Sequence, residues 1–164
     1  MSTRRRSETI EFTPPELEPV ARYLRLLCDA GEGWINLLPG VDADAGPDLV
    51  PSGLFGLFGL FGNRQEPVSM GTLVPPRKDR QAAEGVTVGL LHPTGGRAVA
   101  RLAEAGVTLP PGWLVRQDHA RRGLVVRARS DAPADEIIGW SIRAGVALCR
   151  GEMTGRWQAV VYLP

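Results

Sequence analysis

The sequence predicts an α+β protein made of two tandem, duplicated ferredoxin-like βαββαβ halves, the first of them degenerate. Three observations predict it. First, one stretch occurs twice. Residues 12–35 read FTPPELEPVARYLRLLCDAGEGWI, and residues 91–114, shifted by 79 positions without a gap, read LHPTGGRAVARLAEAGVTLPPGWL. Pro14 matches Pro93, Val20-Ala21-Arg22 matches Val99-Ala100-Arg101, and Gly33-Trp34 matches Gly112-Trp113. Second, the offset of 79 is close to half of the 164-residue chain. Third, apolar and amphipathic runs in the second half follow the order β-α-β-β-α-β.

A chain of this length buries about 70% of its unfolded surface and needs no staples. Hydrophobic content of 43% and charged content of 23% are those of an ordinary globular protein. Two cysteines make no disulfide framework, and no apolar run reaches the 18 residues of a membrane span. The opening MSTRRRSETIEF has charge without an apolar run behind it, so it does not read as a secretory signal, and a cytoplasmic location is expected. Charge divides unevenly. Residues 1–76 carry six arginines and ten acids, whereas residues 77–164 carry 13 basic groups and eight acids. This predicts either complementary halves facing each other, the favoured reading because it needs no outside partner, or a basic surface that meets an acidic partner.

Residues 1–7 form a basic tail and 8–76 the first half. Residues 77–84 form a linker and 85–164 the second half, the whole making one compact unit. Residues 9–12 read as a strand. Thr13-Pro14-Pro15-Glu16 reads as a helix start, with Thr13 as cap. In that helix Leu17, Val20, Ala21, Leu24, Leu27 and Cys28 share one face, and Gly31 and Gly33 stop it. Residues 34–38 and 68–74 read as strands. Residues 39–51 form an acidic loop whose Asp42-Ala43-Asp44 fails as a calcium loop at Gly46 and Gly53. The second half opens with a strand at 86–91. A helix with Val99, Leu102 and Ala103 inward follows the turn at 93–96. Strands at 113–118 and 124–129 then form a hairpin, a helix runs to about Cys149, and residues 157–163 form the last strand.

No catalytic constellation, cofactor or metal site is expected. Asp118 and His119 are adjacent, so on a strand they point to opposite faces. Cys28 and Cys149 read as small apolar core residues, and two cysteines with two histidines give no zinc spacing. Trp34, Trp113 and Trp157 each read as the first residue of a strand, wedged into a helix-to-strand corner.

Three surfaces remain as candidates. Residues 53–62 read GLFGLFGLFG, in which Leu54, Phe55, Leu57, Phe58, Leu60 and Phe61 give either a substitute for the missing helix or a contact for a partner. The turn His92, Thr94, Gly95, Gly96 and Arg97 leads from strand to helix, where amides and an arginine can hold an anion. The hairpin carries Arg116, Arg121, Arg122, Arg127 and Arg129, a basic surface able to meet phosphates. Residues 122–128, RGLVVRA, resemble the third-strand signature of RNA-recognition motifs, without the stacking aromatics that those modules use.

The reading these features favour is a non-enzymatic protein–protein interaction module. It contacts a protein partner of unknown identity through the GLF repeat or a sheet edge. The alternatives are small-molecule or anion binding in a cleft between the halves, at the residue 94–97 turn, and nucleic-acid binding through the arginine hairpin. A homo-oligomer fits any of the three.

Overall fold

The computed structural model describes residues 6–41 and 70–164. Its elements run β1 (Ser7–Phe12), α1 (Glu18–Ala30), β2 (Trp34–Val41), β3 (Met70–Val74), β4 (Thr87–Leu91), α2 (Ala98–Glu104), β5 (Leu114–His119), β6 (Gly123–Arg127), α3 (Ala134–Ala147) and β7 (Met153–Tyr162). The protein is α+β: one sheet in the order β1-β7-β2-β3-β4-β6-β5, with every neighbouring pair antiparallel.

The period of two in each strand builds the core. Side chains directly across a sheet share a face. One row crosses five strands as Val161, Ile35, Leu73, Val88 and Val126. The next row crosses them as Ala159, Leu37, Gly71, Leu90 and Leu124. All are buried, and the three helices lie over this face. α3 is central, on β3 and β4, and α1 and α2 pack against it from either side. This is why α3 reads as apolar almost all round, with Ile137, Ile138, Trp140, Ile142 and Ala144 buried. The indole of Trp140 meets Trp113 at 5.2 Å and donates to the Thr108 carbonyl at 3.0 Å, so its one polar atom is satisfied.

The opposite face carries no helix among the described residues. Its central row is Val160, Asn36, Thr72, Gly89 and Val125. Thr72 Oγ1 donates to Asn36 Oδ1 at 2.9 Å, and Trp34 stacks on Tyr162 at 4.5 Å.

The connections show how the halves combine. β1-α1-β2 is a pair of parallel strands with β7 inserted between them, and β4-α2-β5 is the same unit with β6 inserted. The repeated stretch thus occupies equivalent places. The two halves do not each close a sheet of their own, however. β7 enters the first half between β1 and β2, while β3 lies beside β4 on the flank of the second. Each half completes the other, giving one larger sheet. From β6 to β7 the chain crosses four strand spacings, about 19 Å. β6 and β7 run parallel, and the connection between them passes through α3, which packs on β3 and β4.

Several local expectations are corrected. Thr13 caps nothing: residues 13–17 form a turn and α1 begins at Glu18, with Leu17 at its cap and proline in its first turn. Its apolar face is as predicted, with Val20, Ala21, Leu24 and Leu27 buried, and Gly31 ends it at φ 71° with its N–H on the Leu27 carbonyl. In α2 Ala98 and Leu102 are buried and Val99 packs against the core as expected, whereas Ala103 is exposed. Trp157 sits in the middle of β7, because that strand starts four residues earlier, at Met153. Cys149 follows α3 and lies outside the core cluster, whereas Cys28 packs against it. Residues 1–5 of the predicted tail, the acidic loop beyond Val41 and the GLF repeat lie outside the described residues.

Two outcomes follow from this architecture. Fragments 1–84 and 85–164, expressed separately, are expected to lack the cooperative thermal transition of the whole chain, because β7 has no partners in the second; a cooperative melt of 85–164 alone would contradict the shared sheet. Gly123 adopts φ 79°, and a Cβ there would stand 2.2 Å from the Leu90 carbonyl oxygen. Gly123→Ala is therefore expected to destabilise the protein by about 2–4 kcal/mol in urea titration.

Candidate functional site

The structure brings the residue 92–97 turn and the hairpin together and divides the hairpin arginines into two groups. β4 ends at Leu91, and residues 92–97 turn back over the sheet edge into α2. His92 Nδ1 lies 3.0 Å from Thr94 Oγ1. Gly95 takes φ 79°, and Arg97 takes φ 63°, the single non-glycine residue with positive φ among the described residues. A left-handed arginine costs about 1–2 kcal/mol. Arg101 reaches back from α2 to donate to the Thr94 carbonyl.

The amides at the start of α2 are already occupied. Asp118, on β5, accepts from Ala98 N at 3.0 Å and Val99 N at 3.1 Å, one bond on each carboxylate oxygen. The protein's own carboxylate thus fills the position expected for a bound anion. Asp118 also does not orient a histidine. His119 uses Nδ1 to accept from Arg121 N and Arg122 N at 3.1 and 3.3 Å, which shapes the hairpin. Gln117 Nε2 donates to the carbonyls of Arg122 and Gly123 from the other side. The hairpin tip and the 92–97 turn touch: a Cβ built on Gly96 would lie 3.8 Å from that of Ala120.

The five hairpin arginines divide into two groups. Arg116, Arg121 and Arg122 are exposed, with no ion pair among the described residues. Arg127 and Arg129 lie toward the far end of β6 and are paired. Arg127 meets Glu84 at 3.3 Å, and Arg129 meets Asp131 at 2.9 Å, Glu136 at 3.8 Å and the Pro111 carbonyl at 3.1 Å. Their partners belong to the linker and the second half, so these arginines do not bridge to the acidic first half. Hydrogen bonding and charge from Arg129 hold the Asp131 carboxyl below its usual range, and Asp131 raises Arg129 in return.

A cleft of about 340 Å³ opens elsewhere, between α1, α3 and the 75–86 connection, beside Leu24, Cys28, Glu84, Arg129 and Ile137. None of residues 92–97 lines it. Burial, and then the charge of Asp29, push the Cys28 thiol up to about 11, so it is a neutral wall of that cleft. Among the described residues no three histidine, cysteine, aspartate or glutamate side chains are placed to hold a metal ion, and no helix is long and apolar enough to cross a membrane. Leu54, Phe55, Leu57, Phe58, Leu60 and Phe61 lie outside the described residues.

Sequence reasoning missed the role of Asp118. Its partners are about twenty residues away, and no local spacing marks it. It also treated the 92–97 turn and the hairpin as separate surfaces.

His92 yields a pH prediction. Burial lowers its pKa from 6.5, with Arg101 adding to the shift and Asp118 opposing it. The unfolded chain takes up this proton first, so the stability present above pH 6.5 is lost as pH falls below it. Urea midpoints at pH 7.5 and 5.5 are expected to drop more for the native chain than for His92→Asn; equal drops would exclude His92 as the source. In comparisons with known proteins, the chain matches no family, no curated protein and no solved structure.

Proposed function

We propose that this protein is a non-enzymatic protein–protein interaction module that takes an extended partner segment as an added strand against β5. The observation that carries this reading is the pair Leu114 and Val115, 56% and 45% exposed on a strand at the end of the sheet. Edge strands present unpaired N–H and C=O groups, and proteins usually blunt them with charge. β1, the other edge, has Glu8 and Glu11 and no large exposed apolar residue. β5 has two such residues on opposite faces, so a partner strand gains main-chain bonds and an apolar contact on each side. The bulge between Val115 and Gln117 limits the pairing to a short segment, and exposed Arg116 favours a carboxylate opposite.

The same reading assigns the apolar side chains of the GLF repeat to a second partner contact and places the protein in the cytoplasm. It also takes the halves as descendants of one duplicated ferredoxin-like unit. The equivalent positions of β1-α1-β2 and β4-α2-β5 support that descent.

A photocrosslinking residue at position 114, with position 11 on the opposite edge as control, tests the site in cells. A discrete adduct with one other protein is expected from 114 and not from 11. Val115→Lys is expected to weaken it about tenfold, roughly 1.4 kcal/mol, while leaving the melting temperature nearly unchanged because the side chain is half exposed. Equal adducts from both edges, or none, would sink the reading.

A further inference from the structure

We infer that the arginine corner, where the 92–97 turn meets the 119–123 hairpin, is a contact surface for the phosphodiester backbone of nucleic acid, bound without regard to base sequence. This surface is distinct from the apolar edge of β5.

Among the described residues the positive charge there is concentrated and little opposed. Residues 86–127 carry six arginines against two carboxylates, Glu104 and Asp118. One of the two, Asp118, is engaged by the amides of Ala98 and Val99. Among the described residues Arg127 is the one of these six arginines in an ion pair. Arg97, Arg121 and Arg122 are exposed around the contact of the two loops, and Arg101 is held beside them by its bond to the Thr94 carbonyl.

The floor between them is bare. Gly95, Gly96 and Ala120 carry nothing larger than a methyl group, and even a Cβ added to Gly96 would stand 3.8 Å from that of Ala120. A backbone phosphate can therefore approach closely. The floor offers no large apolar side chain to a peptide, and the cleft beside Cys28 does not include it. Residues 92–97 and 119–123 hold no phenylalanine, tyrosine or tryptophan to stack a base, and the His92 and His119 rings are tied to Thr94 and to the hairpin amides. Contacts to phosphate alone position a nucleic acid and do not read it.

The second observation is the backbone at Arg97. Glycine suits φ 63° without strain, yet an arginine stands there, strained, between a glycine pair and a helix. Strain that the fold does not need is a pointer to function. It also supplies an unusual test, because Arg97→Gly removes the charge while relaxing the chain.

The experiment is fluorescence anisotropy with a labelled mixed-sequence 20-nucleotide RNA and a mixed-sequence DNA duplex, using the whole protein from 50 to 200 mM salt. Binding through three phosphates is expected to weaken about 40-fold for the duplex and about 20-fold for the RNA across that range. Arg97→Gly and Arg121→Ala are each expected to lower the salt slope by about one. Arg97→Gly is expected to melt no lower than the native chain, and Arg150→Ala, an exposed arginine elsewhere, to bind normally. The inference is overturned if neither probe binds at 50 mM. It is equally overturned if the slope is unchanged in both corner variants. Polyglutamate displacing RNA at equal charge would also overturn it, giving the surface to an acidic protein segment.

Discussion

The position of β7 between β1 and β2 is the constraint on which the rest of this structure depends. It pairs with both along nearly their whole length, and its Trp157, Ala159 and Val161 extend the buried rows of the sheet to the first edge. Reaching that position from β6 forces the chain across the middle of the sheet. That crossing places α3 over β3 and β4 and makes it the helix against which α1 and α2 both rest. One strand placement thus sets the helical layer, the apolar character of α3 and the contact of Trp113 with Trp140.

The same arrangement separates structural from available charge. At one end of β6, Arg127 and Arg129 are neutralised by Glu84, Asp131 and Glu136 and hold the 75–86 connection and the start of α3 to the sheet. At the other end, the Asp118 carboxylate is held by the helix amides, and Arg97, Arg121 and Arg122 are exposed. A count of charges along the hairpin treats these ends alike. Only their neighbours in space distinguish a fastening from a surface.

Much of the fold was legible in the chain because its cause is local. The apolar stripe of α1 follows from helical periodicity, and Gly31 stops that helix by conformation alone. The order of elements in the second half was legible for the same reason. The start of α1 was not: Thr13 and Pro14 form a plausible opening, but the chain spends them on a turn and the first helical bonds form after Leu17. Strand partners were also hidden. Alternation in β7 marks a strand with one buried face, and nothing in MTGRWQAVVY says which neighbours it takes. At the candidate site the residue types were found, while their relation was not, because Asp118 meets its amide partners about twenty residues back along the chain.

The insertion of β7 also has a consequence for synthesis. β1 and β2 are made early, yet the strand that fills the gap between them is made last of the described elements. Until residues 153–162 leave the ribosome, two strands of the first half present edges with no native partner there. Their pairing closes a loop of about 150 residues, judged from the register of Ser7 with Tyr162, the kind of distant contact that makes folding slow. For this chain the vulnerable interval is thus the wait for its final strand, and a helper that shields β1 and β2 during translation would act on that interval alone.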